Sequence, residues 1–132
     1  MENKLIGKTI TKIMIAEDKE ALLFLTPEEE LVVRIDADCC SNSWIENIEI
    51  PAMGFPCKIL EIEELYLGSE DSEEYDYLQK YGVKITTDKG LIEIDYRNSS
   101  NGYYGGSISW PEEYHYGGVY GQNKSNEKWR EI

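Results

Sequence analysis

The apolar residues of this chain come in short runs rich in β-branched side chains, each closed by a turn former or a knot of acids, and this pattern points to a sheet rather than a helical bundle. Residues 5–15 read as a strand, with Ile6, Ile10, Ile13 and Ile15 set among Thr9, Thr11 and Lys12. Ala21–Thr26 and Leu31–Ala37 follow as two strands joined by the charged turn Pro27-Glu28-Glu29-Glu30. Val83–Thr87 and Leu91–Arg97 form a second hairpin across Asp88-Lys89-Gly90. Cys57–Leu67 alternates apolar and acidic residues with one slip of parity, which favours a strand carrying a bulge, although Ile59, Ile62 and Leu65 could equally line one side of a helix.

Two segments read differently. Ser41–Ile48 places Glu46 three residues after Ser43 in the form of a capping box, with Trp44, Ile45 and Ile48 on one side of a short helix. A further helical turn is expected near Ser125–Arg130. The acidic stretch 68–76 and the polar run Asn98-Ser99-Ser100-Asn101-Gly102 read as exposed connections, and Tyr103–Trp110 as a last strand. The expected fold is α+β, mainly antiparallel β-sheet with one or two short helices, in a single domain spanning residues 1–132.

Charge narrows the partners. Thirteen Lys and Arg stand against 26 Asp and Glu, a net charge of -13. Repulsion of that size disfavours long nucleic acid and anionic membrane surfaces. The acids concentrate in Glu28-Glu29-Glu30 and from Glu70 to Asp76, either as solvated turns that keep the chain soluble or as a face that imitates nucleic acid. No apolar run approaches the roughly 20 residues of a membrane span, and no signal peptide is expected. Three cysteines, with Cys39 and Cys40 adjacent, suit reduced thiols and a cytoplasmic location better than a disulfide framework.

Few residues have the makings of catalysis. The lone histidine, His115, sits in a tyrosine-rich stretch, and no Ser or Cys has a nucleophile motif around it. Asp36, Asp38, Cys39, Cys40 and Glu46 lie close in sequence, but they match neither zinc spacing nor a calcium loop, so no metal is expected. The richer constellation begins at Tyr96-Arg97-Asn98 and continues through Asn101-Gly102-Tyr103-Tyr104. Tyrosines offer faces for a planar group, asparagines offer both hydrogen-bonding senses, glycines let a ligand approach the backbone, and arginine suits phosphate. The same residues would also serve as turn formers and as the cover of a sheet face.

Leu5-Ile6-Gly7-Lys8-Thr9-Ile10, Asp38-Cys39-Cys40-Ser41 before Trp44-Ile45-Glu46, and Thr87-Asp88-Lys89-Gly90 before Ser100-Asn101-Gly102-Tyr103-Tyr104 together resemble a family of small phage and prophage proteins of largely unknown function. The layout is also similar to phage anti-Thoeris sponge proteins. That resemblance implies a non-enzymatic homo-oligomer without cofactor, acting in the host cytoplasm and sequestering a small cyclic nucleotide of the cyclic ADP-ribose class. It further implies ligand contacts at Leu91 and Asn101, with Tyr96 or Tyr103 supplying the stacking face that Leu91 lacks. Ligand-binding candidates are therefore Leu91, Tyr96, Arg97, Asn98, Asn101, Gly102, Tyr103 and Tyr104. The alternative function is an acidic inhibitor docked on a basic host protein.

Overall fold

The computed structural model describes residues 3–37, 41–71, 77–100, 105–111 and 128–132. Its strands are β1 (Thr9–Ile10), β2 (Lys12–Ala16), β3 (Ala21–Leu25), β4 (Glu30–Ala37), β5 (Asn42–Glu49), β6 (Cys57–Glu70), β7 (Tyr77–Thr87), β8 (Gly90–Ser100), β9 (Gly106–Ser109) and β10 (Trp129–Glu131). They form two antiparallel five-stranded sheets, ordered β1-β6-β7-β8-β5 and β10-β2-β3-β4-β9.

One apolar core joins the two sheets. The second sheet contributes Ile13, Ile15, Leu22, Phe24, Val33 and Ile35, and the first contributes Ile45, Ile59, Val83, Ile85, Ile92 and Ile94. Strand periodicity explains the choice, because residues two apart share a face. Ala21–Leu25 escapes that alternation for a physical reason. Leu22 and Phe24 enter the shared core, while Ala21 and Leu23 are buried on the opposite face with Ala16 and Val32, where Met14 and Trp129 pack. A strand covered on both faces reads as a continuous apolar run.

The two hairpins and the bulged strand stand where the sequence puts them, with β3 one residue shorter and β4, β6, β7 and β8 longer than expected. The β7–β8 turn holds Gly90 at φ +128°, a region only glycine enters easily, and the Thr87 hydroxyl donates to the Gly90 carbonyl at 2.6 Å. β6 carries two irregularities, between Ile59 and Glu61 and between Tyr66 and Gly68.

The α+β expectation is corrected: the described residues form strands and no helix. Ser43–Ile48 lies within β5, paired with β8, and its register slips between Ile45 and Asn47. A bulge adds one residue, so the inward positions Ile45 and Ile48 fall three apart, which imitates helical spacing. Glu46 makes no cap; its Oε1 accepts from Trp44 Nε1 at 3.0 Å. Trp129–Glu131 pairs with Ala16–Met14 as β10 in place of a helical turn. Two exposed connections are likewise shortened, since β6 runs through Glu70 and β8 through Ser100. Residues 72–76, 101–104 and 112–127, which include His115, lie outside the described residues, as do Asp38, Cys39 and Cys40.

Candidate functional site

The inner face of the first sheet changes character along its length. Its middle is isoleucine and valine, with Ile48 beside Ile94 and Ile94 beside Val83. The next row is Ile45, Tyr96, Tyr81 and Tyr66, one from each of β5, β8, β7 and β6. Tyr81 and Tyr96 stack with centroids 4.9 Å apart and 9° between planes, and Tyr66 meets Tyr81 edge-on at 5.4 Å. Burial rises inward through this ladder: Tyr66 is 57% exposed and Tyr96 only 3%.

The row beyond is polar, comprising Ser43, Asn98, Gln79 and Ser69. Asn98 is fully buried, and its Nδ2 donates to the hydroxyls of Ser41 at 3.0 Å and Ser43 at 2.9 Å. Asn98 Oδ1 and Gln79 Oε1, on cross-strand neighbours, are buried without a hydrogen-bond partner. Such groups cost about 1–3 kcal/mol each when left unmet, so they mark a place where something else is bound or a penalty is retained.

Strand β9 closes over this end. The Gly106 amide donates to the Tyr81 hydroxyl at 3.2 Å, and Trp110 Nε1 donates to Glu64 Oε2 at 3.1 Å. A Cβ on Gly106 would lie 2.6 Å from Ser43 Oγ, so the approach requires glycine. Ser109 Oγ donates to Asp36 Oδ2. The field here is negative: burial first, then Glu64, Tyr81 and Asp36, push the Tyr96 hydroxyl well above the ordinary tyrosine range.

Topology brings the described flanks of two separated segments to this end. Ala37 pairs with Gly106, and Asn42 pairs with Ser99. The connections 38–40 and 101–104 therefore begin and end beside the same row, and Tyr77 opposite Ser100 brings the start of β7 there too. Clustered connections on a rigid sheet are common carriers of function.

The structure divides the sequence-derived candidates. Tyr96 and Asn98 point inward and share this end. Leu91 and Arg97 belong to the opposite face, and Leu91 stands at the far end of β8, nine residues and about 30 Å from Ser100. Arg97 donates through Nε and Nη2 to the Asp95 carboxylate at 3.3 and 3.1 Å, and that partner holds its guanidinium above its usual pKa. Asn101, Gly102, Tyr103 and Tyr104 lie outside the described residues. Lys89 donates to the Pro56 carbonyl at 2.9 Å, and Lys84 stands between Glu63 and Glu93 in the register. Sequence reading missed Tyr66, Gln79, Tyr81 and Ser43, although counting outward from the Asp88-Lys89 turn sets Tyr81 opposite Tyr96 and Gln79 opposite Asn98.

Other chemistry is thin. Among the described residues no three of His, Cys, Asp and Glu are placed to hold a metal ion. Cys57 is buried, which raises its thiol pKa. A shallow groove of about 240 Å³ between β5 and β10 sets Lys19 and Arg130 over Ile15, Ile45, Ile48 and Ile132, with no aromatic side chain in its lining. No helix among the described residues is long and apolar enough to cross a membrane.

Comparison with known proteins places residues 3–110 in a domain of unknown function, DUF7448. The chain belongs to this family. Uncharacterized protein L278 of Acanthamoeba polyphaga mimivirus is 34% identical over 122 residues, covering 86% of this chain and 94% of the relative. The DUF7448 match takes in both sheets apart from β10, and with them the tyrosine ladder and the amide row. No solved structure matches the chain.

Proposed function

We propose that this DUF7448 chain is a binding protein that takes up a small, planar, donor-rich ligand at the tyrosine and amide end of its first sheet and withholds it without turnover. The observation that carries this is the pair of buried carbonyl oxygens, Asn98 Oδ1 and Gln79 Oε1, set beside stacked tyrosines at the root of the 38–40 and 101–104 connections. Carbonyl oxygens accept from N–H and O–H groups, which an adenine edge or a ribose hydroxyl supplies. The negative field of Glu64 and Asp36 favours reading that nucleoside part and leaves phosphates turned outward. Cyclic ADP-ribose isomers, the class implied by the resemblance to anti-Thoeris sponge proteins, are the ligands to test first.

The test is thermal unfolding with each of a panel of cyclic ADP-ribose isomers and cyclic di- and trinucleotides, followed by chemical recovery of the compound. A ligand at 100 times its Kd adds about 2.7 kcal/mol of stability. A raised Tm with the compound intact is the expected result. A raised Tm with the compound consumed would replace the binding protein with an enzyme, and no shift across the panel would remove this ligand class.

The acidic-inhibitor alternative would dock through the 70–76 stretch and the 28–30 turn, and one acid of that turn is paired internally. Glu29, in the turn at 28–30, faces Lys4 at 3.9 Å and Lys8 at 3.5 Å. Exposed pairs of this kind contribute little stability but do neutralise the local charge.

A further inference from the structure

Among the described residues, the edge of the first sheet is unpaired along most of β6. β1 pairs with it only at Cys57 and Lys58, and Ile59 exchanges backbone hydrogen bonds with Gly7 and Lys8. Beyond Ile59 no described residue pairs with that edge. The two register slips of β6 bracket a regular run, Glu61 to Tyr66, that is paired on one side with Thr86 to Tyr81. Its length is about 20 Å.

This stretch is both apolar and acidic. Leu60 is 50% exposed, Leu65 38%, Tyr66 57% and Leu67 53%, an unusual concentration for one strand. Between them stand Glu61, Glu63 and Glu64, with Glu70 and Asp71 following, and all are exposed. Lys84 and Lys80 are the neighbouring bases, and Lys80 is drawn to Glu70 at 3.3 Å. A free strand edge is a template for another strand, and acidic side chains select what adds to it. A second copy of this chain is disfavoured, because antiparallel pairing of two such edges sets glutamates opposite glutamates.

We propose that the Glu61–Tyr66 edge of β6 is a docking site for an extended basic segment of a partner protein. The segment would alternate apolar residues with Lys or Arg and add to the first sheet as a sixth strand. Its backbone would take up the groups of β6 that no described residue pairs, its apolar side chains would cover Ile62 and Tyr66 on the inner face, and its cations would meet Glu61 and Glu63 on the outer face. The site uses neither Asn98 nor Gln79.

The test uses the full chain and a ten-residue peptide of alternating lysine and valine in about 0.15 M salt, where the screening length is about 8 Å. The control is the same peptide N-methylated at alternate residues, which keeps charge and composition but blocks one hydrogen-bonding edge. The expected result is slowed hydrogen exchange at backbone amides of 61–66 and at least tenfold weaker binding of the methylated peptide. A Glu61→Lys, Glu63→Lys double variant should lose at least tenfold in affinity, and Glu49→Lys, exposed on β5 at the opposite edge of the sheet, should lose less than twofold. Equal binding of the two peptides, or protection mapping to the 17–20 or 28–30 turns, would reduce the acids to a solvating role and overturn the proposal. Dimers of the unliganded chain held through β6 would overturn it in favour of self-pairing.

Discussion

Asn98 is the residue on which the polar end of the molecule turns. It is fully buried in a strand, a place asparagine seldom takes, and the hydroxyls of Ser41 and Ser43 compensate one end of its amide. Removing it in Asn98→Ala takes the buried amide donor away from both hydroxyls and should cost about 1–3 kcal/mol in urea unfolding. Little or no loss would mean that the amide is already a net penalty at this position. Tyr96 gives the matching statement in pH. Its hydroxyl titrates higher in the folded chain than in the unfolded one, so its contribution to stability is complete below about pH 10 and is lost as pH rises above that, while the unfolded state ionises first. Tm should therefore fall above pH 10, and less steeply in Tyr96→Phe than in the parent chain. Parallel alkaline limbs for the two proteins would contradict this.

Among the elements, β5 shows how far local spacing reaches. Trp44, Ile45 and Ile48 at helical intervals, with Ser43 and Glu46 in capping positions, are also what a strand with one bulge presents. Only the pairing with β8, distant in sequence, decides between them. The hairpins were legible because Pro27–Glu30 and Asp88–Gly90 are turn chemistry that acts locally, and the bulge of β6 was legible as a slip in alternation. β10 was not, since Trp129-Arg130-Glu131 is a strand only by virtue of Met14–Ala16 beside it. The candidate site was half legible: Tyr96 and Asn98 stood in the sequence, whereas Gln79, Tyr81 and Tyr66 needed the register. Truncating Ile45, 1% exposed, to Ala should cost about 2–5 kcal/mol, while Glu46→Ala should stay within about 0.5 kcal/mol. Comparable losses by chemical denaturation would speak against the bulged strand. The β9 closure is tested at its glycine. Gly106→Ala drives a Cβ into Ser43 Oγ and should cost about 1–3 kcal/mol, and adding Ser43→Ala should recover part of that loss. Additive losses would place the strain elsewhere.

At the scale of the whole molecule, the two sheets divide the work. The second sheet is buried on both faces along β3 and serves as ballast. The first carries everything with chemical character: an amide and tyrosine end on its inner face, and an acidic free edge at β6. A net charge of -13 repels polyanions, which agrees with the small donor-rich ligand and the basic segment proposed for these two places. The direct measurement is a ¹H–¹⁵N spectrum of the side-chain amides during titration with the cyclic ADP-ribose isomer that raises Tm most. The expected result is that the Asn98 and Gln79 amide resonances move together and saturate with the thermal shift, while the Arg97 guanidinium signal stays in place. Saturable binding that leaves both amides unmoved would contradict the assignment of the site.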